Sequence, residues 1–170
     1  LSSPLRDRFG NTFKLSFYKQ NELNQIVIRT AQLLACSIDK QASQEIAKSC
    51  RQTPRIANRL LKRIRDFAEV EGEKVISLKT TKKGLASLGI DTRGLDQGDR
   101  DILDTIIDKF NGGPVGLSAI AAACSEERST LEDVYEPYLL KLGFLERTHR
   151  GRVATKNAYD HLGYEYIESR

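Results

Sequence analysis

Arginines carry most of the chemistry this sequence could do. Arg147, Arg150 and Arg152 fall within six positions around the stretch Thr148-His149-Arg150-Gly151, and Arg128 stands at the head of the helical segment before them. Guanidiniums are permanent cations whose forked donors match phosphate oxygens, and Arg128 adds the favourable field of a helix N-terminus. These four groups could neutralise a few phosphates. Glu132, Asp133 and Glu136 occupy positions where base reading would call for Arg, Asn or Gln. The pattern therefore predicts contact with a nucleic-acid backbone without sequence readout, with affinity that falls steeply as salt rises.

Other chemistries are poorly supplied. His149 and His161 have no Ser, Cys or carboxylate partner at catalytic spacing, and read as surface or packing residues. Cys36, Cys50 and Cys124 are widely separated, with no Cys-x-x-Cys pair, so neither a disulfide framework nor a metal site is expected. No Gly-x-x-x-x-Gly-Lys-Ser/Thr loop is present, which leaves the β- and γ-phosphates of a nucleotide and their Mg2+ without a cradle in this sequence. Of the 170 residues, 39% are hydrophobic and 29% charged, which suits a globular protein with a buried core. The net charge of +4 favours an anionic partner only weakly. No apolar run approaches a membrane span and no signal-peptide core opens the chain, so a cytoplasmic location is expected. The opening Leu1-Ser2-Ser3-Pro4 is not an initiator sequence, and a piece of a longer polypeptide is expected.

The elements that must hold these arginines fall into two groups. Leu23, Ile26, Val27, Leu33 and Leu34 recur at helical spacing behind Asn21, a natural N-cap, and Asp39 can cap a second helix through Ala42, Ile46 and Ala47. Thr53-Pro54 is a strong start for a long third helix with Ile56, Leu60, Ile64 and Phe67 or Ala68 inward. Val75-Ile76-Ser77 reads as a short extended piece before a helix near Leu78 to Leu88. Residues 21–90 thus form a helical bundle, and the glycine-bearing stretch 91–98 reads as a linker. Beyond it, a helix through Ile102 to Phe110 stops at Asn111-Gly112-Gly113-Pro114. A short helix (Leu117 to Ala123), a polar turn and a helix capped by Thr130 then give a helix-turn-helix. Extended runs on either side of Thr148 to Gly151 complete a β-hairpin, so residues 99–170 form a winged helix.

Five stretches in one order resemble the RuvB family. They are Ser3 to Gly10 (Ser-Pro-Leu-Arg-Asp-Arg-Phe-Gly), Thr53 to Leu61 (Thr-Pro-Arg-Ile-Ala-Asn-Arg-Leu-Leu), Gly112 to Gly116 (Gly-Gly-Pro-Val-Gly), Glu132 to Leu139 and Gly143 to Arg152. The resemblance implies a mainly α fold: the end of a large ATPase domain and connector (1–20), the helical-bundle lid of an AAA+ ATPase, then the winged helix. It implies a hexameric, ATP- and Mg2+-dependent motor, a helicase or translocase, that drives Holliday-junction branch migration on double-stranded DNA with RuvA and RuvC. By the resemblance, Arg8 matches the arginine finger that reaches the ATP of a neighbouring subunit. Arg55 matches the sensor-2 arginine and Tyr18 the lid tyrosine beside the base, while Arg128, Arg147 and Arg152 match DNA-contacting positions, with Arg150 close enough to assist. Gln52, where the family usually has Gly, and His149, where it usually has Pro, depart from the pattern. Without a phosphate-binding loop the chain alone is expected to be inactive as an ATPase, to bind no cofactor and to run as a monomer.

Two alternatives fit the residues. A winged-helix transcriptional regulator with a helical regulatory domain would favour one DNA sequence by several kcal/mol over random duplex. A winged helix used for protein docking would keep its DNA affinity unchanged when Arg147 and Arg152 are removed.

Overall fold

Apolar residues sort into two cores, each enclosed by the helices whose periodicity points into it. A computed structural model describes residue 13 and residues 16–166. In the first core, α1 (Gln20–Leu33), α2 (Lys40–Ser49), α3 (Pro54–Val70) and α4 (Leu78–Ser87) bury Leu23, Val27, Ile46, Leu60, Leu61 and Ile64. Burying each such side chain contributes about 1.5–3 kcal/mol relative to leaving it in water. Between the helices, β1 (Ser37–Ile38) and β2 (Val75–Ile76) pair in parallel, Ser37 opposite Val75.

Several local details differ from the sequence expectation. The N-cap of α1 is Lys19, whose backbone N–H donates to Glu22 Oε2 at 2.7 Å, while Asn21 lies inside the helix. A glutamate in the first turn can satisfy the free donor ahead of it, so no capping Asn is required. Ala31 takes the inward position expected of Leu33, which faces solvent. Along α3 the buried set is Ala57, Leu60, Leu61, Ile64 and Ala68, with Ile56 and Phe67 only half-buried. The small Ala57 lets α1 approach closely, and Thr30 on α1 donates to Asn58 Oδ1 on α3 at 2.8 Å.

The second core gathers Leu95, Leu103, Ile106, Ile120, Leu131 and Leu139 under a hairpin. α5 (Gln97–Phe110) opens with a reciprocal cap between Asp96 and Asp99 and stops at Asn111 in the left-handed region, φ 51°. α6 (Leu117–Cys124) leads to a segment of three parts: α7 (Arg128–Thr130), a π turn (Leu131–Tyr135) and α8 (Glu136–Lys141). Glu127, not Thr130, holds the N-cap position of this segment. The π turn has an identifiable cause. Pro137 has no N–H to return to the carbonyl four residues back, and the ladder widens so that Glu136 N–H donates to Leu131 O.

The wing is β3 (Leu145–Thr148) against β4 (Gly151–Ala154), antiparallel, with Arg147 opposite Arg152. Val115 adds a third rung, exchanging two backbone hydrogen bonds with Arg152 at 2.9 and 2.8 Å. Gly151, at φ 145°, lies so close to the Val115 backbone that a Cβ there would strike it. A last helix, α9 (Lys156–Leu162), packs Ala158 and Tyr159 beneath the hairpin. No helix among the described residues is long and apolar enough to cross a membrane.

Candidate nucleotide and nucleic-acid interfaces

The start of α3 is built to receive an anion. Thr53 is the N-cap, but its Oγ1 donates to the Arg51 carbonyl at 3.1 Å and makes no side-chain cap. The first-turn N–H groups therefore keep their positive field available, since Pro54 contributes no donor and no side chain among the described residues answers the rest. Arg55 and Arg59, one turn apart, are both exposed and enter no ion pair among the described residues. They face a cleft of about 600 Å³ whose other walls include Phe17, Arg51 and Pro137 and two carboxylates, Asp96 and Asp133, of which Asp96 is paired with Arg51. Two guanidiniums and a helix dipole can thus converge on one phosphate.

Tyr18 is not brought to that cleft. It is half-exposed just ahead of α1 and lines a separate, shallower cleft of about 290 Å³ with Glu22, Gln25, Ile26 and Arg29. Arg8 lies outside the described residues. The turn before α3 carries Gln52 at φ 53° and Arg51 at φ 51°, left-handed conformations that glycine adopts more readily. The departure at Gln52 is therefore accommodated with local strain, and its side-chain Oε1 accepts a hydrogen bond from Lys141 of α8.

On the winged helix the four arginines, grouped as equal phosphate contacts in the sequence, are not equivalent. Arg128 heads α7 and Arg150 sits in the two-residue hairpin turn; both are exposed and unpaired among the described residues. Arg147 and Arg152 instead converge on Glu136. Arg152 donates from Nε at 2.8 Å and from a terminal nitrogen at 3.1 Å, and Arg147 from Nε at 3.0 Å. The Glu136 side chain is 3% exposed, that of Arg152 17% and that of Arg147 54%. Glu136 therefore does not confront a base edge. Its charge is spent holding the hairpin to α8, and of the four arginines it is Arg128, Arg150 and the outer part of Arg147 that leave positive charge exposed. Glu132 and Asp133 remain exposed beside them, which disfavours base contact and limits total affinity.

Three further polar contacts were not foreseen in the sequence. Asp99 is fully buried, and burial pushes its carboxyl up to about 7 while the neighbouring Arg51 guanidinium, 3.1 Å away, pulls the other way. His161 stacks on Phe144 and meets Asp91 Oδ2 at 2.7 Å, joining α9 to the segment between the two cores. Burial raises the Tyr138 hydroxyl to about 12, and it stays a donor, to Arg93 O at 2.8 Å. Long sequence separation hid these pairs; the acidic cap Asp96-x-x-Asp99 was the one visible clue.

Comparison with known proteins gives a consistent picture. Residues 18–91 match the family model described as the RuvB AAA lid domain, and residues 92–163 the RuvB C-terminal winged helix domain. The chain is 56% identical over 164 residues to the Holliday junction branch migration complex subunit RuvB of Nostoc punctiforme, an alignment covering 96% of this chain and 45% of that protein. It superposes on the solved Thermotoga maritima RuvB Holliday junction branch migration motor with a TM-score of 0.96 at 51% identity, over 98% of this chain and 56% of that one. A point variant of the same Thermotoga protein matches with the same TM-score and coverage. The chain spans about half the length of these relatives.

Proposed function

The chain belongs to the RuvB family, with its AAA+ lid and carboxy-terminal winged helix, and from that premise we propose that it serves as the phosphate-sensing lid and duplex-gripping module of an ATP-driven motor for Holliday-junction branch migration in recombination and repair. Arg55 senses nucleotide phosphate within its own subunit, Arg8 acts in trans as the arginine finger, and Tyr18 packs near the base. Arg128, Arg150 and the exposed part of Arg147 contact the DNA backbone, while Arg152 supports the wing from behind. The whole protein works as a homo-hexamer on double-stranded DNA and four-way junctions, alongside RuvA and RuvC.

The observation that carries this proposal is the start of α3, where, among the described residues, an exposed Arg55 has no ion-pair partner and sits beside first-turn N–H groups that no side chain caps. ATP phosphates fit such a site by charge and by donor count. Among the described residues no cluster of three or more His, Cys, Asp or Glu could hold a metal ion, so Mg2+ and the remaining phosphate contacts are assigned to the ATPase domain of the full-length protein. A guanidinium delivered across a subunit boundary neutralises charge that develops on the transferred phosphoryl group, typically worth about 10³ or more in rate.

ATP turnover of the full-length protein tests both roles. Arg8→Ala should lower turnover by about 10³ with nucleotide binding intact, whereas Arg55→Ala should impair both turnover and phosphate-dependent nucleotide affinity. Normal turnover in either variant discards the corresponding role. The 170-residue chain by itself should hydrolyse no ATP and elute as a monomer.

A further inference from the structure

One polar side chain between the two cores, on the wall of the cleft at the start of α3, was given no role by the sequence. Arg51 lies in the turn between α2 and α3, four positions ahead of Arg55, with its backbone in the left-handed region. Its side chain, 11% exposed, leaves the lid and enters the winged helix. One guanidinium nitrogen meets Asp96 at 3.3 Å and Asp99 at 3.1 Å, the two residues that cap α5. Another donates to Val134 O at 2.9 Å, in the π turn between α7 and α8. The plane lies 4.7 Å from the ring centre of Tyr138 and 5.9 Å from that of Tyr135. The Arg51 carbonyl in turn accepts from the Thr53 hydroxyl at the head of α3. One residue thus ties the turn that carries Arg55 to both helical arms of the DNA-binding module.

We propose that Arg51 is a positioning residue that couples phosphate sensing at Arg55 to DNA engagement by the winged helix, so that the start of α3 and the segment α7–α8 move as one body. The proposal rests on the function proposed above. Three features fit coupling better than simple adhesion. A buried ion pair adds little net stability over an apolar contact of the same shape, because desolvation offsets the attraction. A planar five-donor fork fixes orientation as well as distance. Finally, Asp99 keeps its second oxygen, Oδ1, without a hydrogen-bond partner among the described residues, so Arg51 is the main charge compensating it. At the same turn, Gln52 bonded to Lys141 of α8 gives a second tie in the same direction.

The test uses the full-length protein and compares ATP turnover with and without saturating duplex DNA, together with duplex affinity and unfolding temperature. Arg51→Ala should keep duplex affinity within about twofold of wild type, yet reduce the ratio of DNA-stimulated to basal turnover to near one. Arg51→Lys, which keeps charge without the fork, should restore only part of that stimulation. The paired variant Arg51→Met with Asp99→Asn removes both partners together, with the unfolding temperature reporting whether the fold is kept, and should be equally uncoupled. Wild-type stimulation in the paired variant overturns the coupling role, as does a loss of basal and stimulated turnover by the same factor in both Arg51→Ala and the paired variant, which marks a purely structural residue. Arg55→Ala run in parallel separates the two ideas: normal turnover there removes the sensor role itself, whatever Arg51 does.

Discussion

Replacing Glu136 by Gln should weaken the fold and strengthen the grip on DNA at the same time. Glu136 is 3% exposed and answers two guanidiniums, of which Arg152 is 17% exposed and Arg147 54%. Removing one partner of a buried pair usually costs about 3–5 kcal/mol, because the other charge stays desolvated and uncompensated. The half-exposed Arg147 adds no more than about 1 kcal/mol, and Gln can still accept one hydrogen bond, so the lower figure of about 3 kcal/mol applies here. For a domain of this size each kcal/mol shifts the melting temperature by roughly 4–8 °C, giving a fall of about 12 °C or more. Arg147 and Arg152 would then be free to swing toward phosphates. Each new phosphate contact steepens the plot of log affinity against log salt by about 0.9, so the slope should grow by up to about 1.8. Circular dichroism melts and fluorescence anisotropy with a labelled duplex between 50 and about 200 mM salt read both effects. A melting temperature within about two degrees of wild type, together with an unchanged salt slope, would refute the assignment of Glu136 as the counter-charge that holds the wing.

Other perturbations separate the remaining parts. Arg150→Ala should weaken duplex binding equally for all sequences and reduce the salt slope by about one, whereas Arg152→Ala should mainly lower the melting temperature; the reverse pattern would mean that the wing is oriented differently. The Asp99 carboxyl stands near 7 in the fold against an ordinary 3.8, so its protonated form is the one the fold favours. Its contribution to stability is complete below about pH 4 and is lost as pH rises toward 7, at up to about 1.4 kcal/mol per unit. Urea midpoints should therefore show wild type losing about 2–3 kcal/mol relative to Asp99→Asn between pH 5 and 8, and parallel pH profiles would contradict this. Gly151→Ala should cost about 2–3 kcal/mol, since a Cβ there meets the Val115 backbone at a φ that side chains avoid; amide exchange at Val115 and Arg152, whose mutual hydrogen bonds would open, checks it.

Much of the architecture was legible because its signals are local. Asn111-Gly112-Gly113-Pro114 stops α5, Thr53-Pro54 starts α3, and Gly151 closes a two-residue hairpin turn; each acts through its own backbone angles. The pairing of β1 with β2 was not, since two residues per strand leave no alternation to detect. Glu136 read as a surface acid because Pro137 alters the helical phase just there, converting one turn to π geometry. Arg51 escaped notice for a different reason: its partners Asp96 and Val134 lie 45 and 83 positions away. Charge pairing over such distances follows from tertiary packing and leaves no periodic trace. The start of α3 was visible as a helix start, but not that Thr53 would turn its hydroxyl back to Arg51 and leave the first-turn donors uncapped.

The central claim is that this winged helix holds duplex DNA through a few exposed guanidiniums on the phosphate backbone, with no reading of bases. Competition binding of the purified chain to two unrelated duplexes over a range of salt concentrations measures it directly. Affinities for the two should agree within about twofold while log affinity falls linearly with log salt, at a slope of roughly −2 to −3 from Arg128, Arg150 and part of Arg147. A preference of several kcal/mol for one sequence, or an affinity indifferent to salt, would contradict it.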